Sequence, residues 1–335
     1  MKNIPAFPIL VSILMLLAIP VFAEEKLPEN AQKPRYAFTL GTLTGILWGQ
    51  GDEIVYHGST PRNSNPFMSR LLWDFKPLVF FGLQLEFSPA YPRNRKGFYG
   101  SFTGKMGLPT KTGNIDDFDW LSFTGDYLTN FSRHDASSKI SLLLNLTLGY
   151  SWVINNVFWV KPYGEFTYSR FSWKSVDGYV QYGSNNPGGN IFIPWQSDFP
   201  KIPYSGPAID YVQNWFTFAP GFAAGFYLLN FFSLEFFFTL SPLNYGKCVD
   251  DHLAAGNIST FTDFLYGGWY IHHGAVFRFD LTKRLGFTFS ASLLMLKETH
   301  GDNYKTVSGI NFKNPGIAGG GYSFADLSIS VNVTF

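Results

Sequence analysis

From Leu327 to Phe335 apolar and polar residues alternate without a break, with Leu327, Ile329, Val331, Val333 and Phe335 on one parity and Ser328, Ser330, Asn332 and Thr334 on the other. Successive side chains of a strand point to opposite faces, so this segment is predicted to be a strand with one apolar and one polar face. In a soluble sandwich the apolar face meets a core. In a membrane barrel it meets lipid, and the polar face lines the interior.

The opposite end of the sequence favours the barrel. Lys2, an apolar stretch from Ile9 to Phe22 and the small residue Ala23 ahead of Glu24-Glu25 form the pattern of a cleaved secretory signal. A permanent anchor fits less well, because the stretch falls short of a span of about 20 residues and is interrupted by Pro20. The expected organisation is a signal peptide over 1–23 and a single β-barrel domain over 24–335. A final strand ending on an aromatic residue resembles the last strand of bacterial outer-membrane barrels.

Composition narrows the class further. Aromatic residues make up 19% and charged residues 15%, and no apolar run after the signal is long enough for a membrane helix. Aromatic residues at this density suit the girdles of a transmembrane barrel. A net charge of +1 implies no polyanion, so no nucleic-acid partner is expected. Cys248 is the only cysteine, which excludes an internal disulfide and a Cys-rich zinc site, although a lone thiol among acids and a histidine is an alternative nucleophile.

Turn signals divide the sequence into ten strand-like stretches, near 36–48, 67–87, 97–108, 138–154, 157–175, 209–229, 231–246, 267–282, 285–299 and 321–335. Tight turns at Asn155-Asn156, Leu229-Asn230 and Lys283-Arg284 alternate with long connections at 49–66, 109–137, 176–208, 247–266 and 300–320. Short turns belong on the periplasmic side and long loops outside. The expected fold is therefore all-β, a ten-stranded antiparallel transmembrane barrel. Open aqueous channels need about 16 strands, so a general porin is not expected.

Two polar pairs have the spacing of chemistry. Asp117 and Asp119 flank Phe118, and Asp250 and His252 flank Asp251, which puts each pair on one face of an extended segment. Both pairs fall in long connections at the same end of the barrel. A carboxylate beside an imidazole fixes its tautomer and stabilises its protonated form, and two further carboxylates could hold a water. Neither a serine elbow nor His-Glu-x-x-His occurs, so direct attack by water is the economical mechanism. The competing readings are solvated loop acids, or acids gathered around calcium.

These residues are also where the sequence resembles the omptin family of outer-membrane proteases. Leu40-Gly41-Thr42-Leu43-Thr44-Gly45 resembles the family's first strand, followed by Glu53-Ile54-Val55-Tyr56. Asp117-Phe118-Asp119-Trp120 fits its Asp-x-Asp-Trp pattern and Asp250-Asp251-His252 its Asp-x-His dyad, while Ser169-Arg170-Phe171-Ser172-Trp173 fits another signature. Thr129, Ser132 and His134 match a further signature, in which Asn130 and Asp135 depart from the family pattern.

The resemblance implies an endopeptidase whose catalytic residues are Asp117, Asp119, Asp250 and His252. It is implied to be a monomer acting on peptide or protein substrates among outer-membrane lipids, with no metal. Glu53 matches one of two acids that hold a basic substrate residue, and Cys248 stands in the place of the other, so a pocket more tolerant of neutral residues is expected. The only cofactor implied is lipopolysaccharide or another glycolipid, held partly by outward-facing arginines. Arg170 matches one of these and Asn214 replaces another. A non-catalytic surface adhesin is the main alternative, and a lipid-modifying barrel enzyme, lacking its serine pattern, the third.

Overall fold

The computed structural model describes residues 36–58, 66–89, 96–122, 125–154, 157–183, 192–229, 231–253 and 258–335. The predicted signal peptide and the Asn155-Asn156 turn lie outside the described residues. Among the described residues fourteen strands make up one antiparallel sheet: β1 (Tyr36–Tyr56), β2 (Phe67–Pro89), β3 (Gly97–Gly107), β4 (Thr110–Asp119), β5 (Asn130–Ser138), β6 (Ser141–Val153) and β7 (Phe158–Tyr182), then β8 (Ile202–Leu229), β9 (Phe232–Ser241), β10 (Asn244–His252), β11 (Ser259–Tyr266), β12 (Trp269–Asp280), β13 (Leu285–Val307) and β14 (Ile310–Thr334). β14 pairs with β1 from Thr39↔Thr334 to Val55↔Ala318, which closes the sheet into a barrel.

Fourteen strands replace the expected ten because four staves are each interrupted once. β3 and β4 are the two halves of one stave, as are β5 and β6, β9 and β10, and β11 and β12. Pro109 and Pro242 sit at two of the breaks, where a residue without N–H cannot donate to a ladder. Gly267 and Gly268, with φ of 69° and 73°, form another. Below the breaks the ring runs β1, β2, β3, β6, β7, β8, β9, β12, β13, β14, and above them β1, β2, β4, β5, β7, β8, β10, β11, β13, β14. Either level has ten staves, the number the alternation predicts.

The larger correction concerns the long connections. Most of 109–137 and 247–266 is strand, and β7, β8, β13 and β14 run well into the remaining predicted loops. Above the breaks the outer wall carries polar residues such as Asp52, Arg70, Asp116 and Arg133, so the apolar-out pattern that marks a lipid-facing stave is lost while the hydrogen-bond ladder continues.

Below the breaks the outer wall is apolar: Leu83, Phe218, Phe222, Phe289, Leu327 and Val331 are exposed. Trp48 and Trp269 stand toward its upper edge and Phe98, Trp152 and Phe335 toward its lower, as interfacial aromatics do. The interior of this level is polar. It holds a cavity of about 210 Å³ lined by paired charges, among them Arg278–Glu86 at 2.5 Å, Lys161–Glu235 at 2.6 Å and Lys105–Asp326. Glu165 accepts from Tyr270 Oη at 2.9 Å. Lys161 thus ion-pairs with Glu235, while Glu165 is held by Tyr270 and faces His272 Nδ1 at 3.4 Å.

Between this cavity and the upper rim lies a floor of fully buried rings. Trp173 stacks on Phe75 at 4.6 Å and lies 6.0 Å from Tyr211, and Phe171 meets Phe324 at 4.7 Å. Such rings contribute both area and offset-stacking energy, about 0.5–1.5 kcal/mol per pair beyond burial. Gly51 makes room for them, since a Cβ there would stand 2.7 Å from Trp173 Cη2.

Candidate active site

Each predicted site residue above the floor sits on a strand, not in a loop. Glu53 is on β1 opposite Leu71 of β2, and Asp117 is on β4 opposite Leu71 and opposite Ser132 of β5. Asp250 and His252 are on β10, paired with Tyr211 and Ile209 of β8. A one-residue slip would turn every one of these side chains out of the barrel. The register is pinned from behind, where Arg70 clasps Asp52 at 3.0 and 2.5 Å and Arg133 clasps Asp116 at 2.6 and 2.7 Å, each acid adjacent in sequence to a site carboxyl.

His252 Nε2 lies 2.6 Å from Asp250 Oδ2, and its side chain is 45% exposed against 4% for Asp250. With the Nε2 proton held by the carboxylate, Nδ1 is the ring nitrogen that keeps a lone pair. The ring of Phe261 packs edge-to-face with the imidazole, their centroids 5.1 Å apart.

Across the cleft Asp117 accepts from Ser69 Oγ and from Ser132 Oγ, each at 3.4 Å. Burial first, then the charge of Asp119, raises the Asp117 pKa well above the carboxylate range, while His252 opposes the shift. Burial pushes Asp119 up to about 6 against the same imidazole and a bond from Ser69. The two pairs therefore face one another within electrostatic reach. Burial also raises Asp250 and Glu53, and each feels the other's charge or hydrogen bond.

Cys248 is 1% exposed, and burial raises its thiol, so it is not the activated thiolate a cysteine nucleophile requires. Arg170 lies apart from this group. Its neighbours Ser169 and Phe171 are fully buried on the inside, and its guanidinium donates to Asn214 Oδ1 at 3.0 Å on the outer wall.

Two supports, Ser69 and Asp263, were not singled out in the sequence, whereas Ser132 and His134 were matched there to a family signature. Ser69 and Ser132 hold Asp117. Behind Ser132, His134 Nε2 lies 3.2 Å from its hydroxyl while Nδ1 meets the Asp177 carbonyl at 2.5 Å, a place the Thr129–His134 signature could have indicated. Asp263 of β11 lies directly opposite Cys248.

The raised acids fix a sign for stability against pH. The folded barrel binds the Asp119 proton more tightly than the unfolded chain, whose carboxyl follows the ordinary value of 3.8. That contribution is full below the ordinary value and lost as pH rises through about 6. Asp119→Asn, always neutral, should make urea unfolding less sensitive to pH between about 4 and 7.5 than in the parent. Equal pH slopes for the two proteins would show that Asp119 is not raised.

A closed antiparallel barrel with an apolar lower wall, aromatic edges and a polar, charge-paired interior is a bacterial outer-membrane β-barrel. The chain belongs to the Omptin family, which it matches over residues 34–335. It is 26% identical over 195 residues to the plasminogen activator of Yersinia pestis, an alignment covering 53% of this chain and 56% of that protein. Its fold matches the crystal structure of outer membrane protease OmpT from Escherichia coli with a TM-score of 0.78 and 16% identity, over 92% of this chain and 99% of that one.

Proposed function

We propose that this barrel is an endopeptidase that hydrolyses peptide bonds at the cell surface with a water activated by His252. The observation that carries the reading is the 2.6 Å Asp250–His252 contact, faced across the cleft by Asp117 and Asp119. The names of the relatives support it, one a plasminogen activator and one an outer membrane protease. The outward orientation is supported by the chain's course, since β1 and β14 begin and end beside the short turns, at the end opposite the cleft.

In this mechanism Nδ1 of His252 takes a proton from a water held between the imidazole and the acid pair. The hydroxide attacks the peptide carbonyl carbon, and the C–N bond then breaks as His252 returns the proton to the leaving amine. Asp250 keeps the tautomer and stabilises the imidazolium. The raised Asp117–Asp119 pair retains a proton that can be offered to the developing oxyanion, a charge best stabilised in a site with little water. Arg170 and Asn214 mark where a glycolipid would bear on the outer wall, and assays with and without lipopolysaccharide measure that dependence.

The test is incubation of the refolded protein with a diverse peptide library and identification of new termini by mass spectrometry. Defined cleavage positions are expected. A library left intact, with and without lipopolysaccharide, would favour the non-catalytic adhesin.

A further inference from the structure

The pocket beside the dyad holds one acid more than the resemblance assigns to it. β10 and β11 are antiparallel with Cys248 directly opposite Asp263, and residues so paired have Cβ atoms about 4.5–5.5 Å apart on the same face. Asp263 is 5% exposed, Glu53 4% and Asp250 3%. Asn303 Nδ2 donates to Asp263 Oδ1 at 2.7 Å, and Asn303 is held in turn by Asn314 at 3.1 Å, so this carboxyl is fixed in place. Among the described residues no lysine or arginine forms an ion pair with Glu53, Asp250 or Asp263.

An independent observation points to an occupant. Asp250 Oδ1 is fully buried without a hydrogen-bond partner, on a carboxyl that lies within bonding reach of Glu53 and feels the charge of Asp263. Buried acids without a cation are costly and are relieved when one enters.

We propose that Asp263 supplies, from the neighbouring strand, the second carboxylate that Cys248 does not, so that the pocket takes the arginine or lysine side chain preceding the cleaved bond. This deepens the peptidase reading and rests on it. It reverses the expectation of a neutral-tolerant pocket, because the acid is displaced by one strand and not lost. A guanidinium fork spanning Glu53 and Asp263 would gain charge-assisted bonds from both.

The experiment compares kcat/KM of the refolded barrel on matched peptides carrying Arg or Gln before the cleaved bond. The parent should prefer Arg, Asp263→Asn should lower the Arg-to-Gln ratio by about ten- to a hundredfold, and Asp263→Glu should keep most of the preference. A ratio unchanged by Asp263→Asn overturns the proposal. Should Asp263→Asn lose the heat-modifiable gel mobility of a folded barrel, Asp263→Ser takes its place. Agmatine binding, followed by calorimetry, reads the pocket without cleavage: it should be present in the parent and lost in the variant. Absent cleavage with Asp263-dependent agmatine binding would overturn the peptidase reading alone, whereas absent agmatine binding by an active parent would overturn this one alone. An inert parent that binds no agmatine would overturn both.

Discussion

Replacing His252 by alanine should lower kcat/KM on any cleaved peptide by about 10²–10⁴-fold, the usual contribution of a positioned general base. This corresponds to about 3–5 kcal/mol of transition-state stabilisation. Asp250→Asn should lose nearly as much, because an amide can present its NH₂ to the ring and hold the wrong tautomer. The two variants should differ from ordinary damage in one respect. Asp250 is buried and feels the charges of Asp263, Asp251 and Asp210, so neutralising it removes an electrostatic penalty and should leave the barrel as resistant to urea as the parent or more so. Loss of activity together with retained or increased stability is the expected signature. Full activity in His252→Ala would remove the mechanism.

The second large effect lies below the site. Trp173→Ala should destabilise the barrel by about 3–5 kcal/mol, the range for truncating a buried aromatic that leaves a cavity. Trp173 is fully buried, stacks on Phe75, faces Trp73 at 5.9 Å and donates its N–H to the Asp74 carbonyl at 3.2 Å. Its removal strips the floor from beneath β1, two residues before Glu53. Activity should fall along with stability, whereas Leu83→Ala, on the lipid-facing wall and 54% exposed, should change both little. The check is the urea midpoint of each variant refolded in the same lipid. A Trp173→Ala barrel with a parental midpoint would mean that the floor is not a source of rigidity.

The lower half of the barrel was legible because lipid imposes apolar residues on one parity of every stave, as at Leu327–Phe335. Above the lipid that constraint ends. In β4 the inward residues include Ile115, Asp117 and Asp119 and the outward ones Asp116 and Phe118, so both faces mix polar with apolar and the segment reads as a loop. The site was legible where its residues lie two apart on one strand, as in Asp117/Asp119 and Asp250/His252. It was not legible where neighbours meet across strands. Asp263 lies on the strand after that of Cys248, and Ser132 reaches Asp117 from the next strand, so register, which a single sequence does not display, was needed to place them.

The strands β1, β2, β7, β8, β13 and β14 continue from the lipid-facing wall to the level of the site, and the other four staves resume pairing just above their breaks. Anchor and site are therefore one object. A cut at the membrane surface would not free a working head, because it would sever all ten staves and leave strand edges without partners. An activity built this way should stay with the cell that bears it and should not be shed into the surroundings, and its reach is set by what can diffuse to that surface.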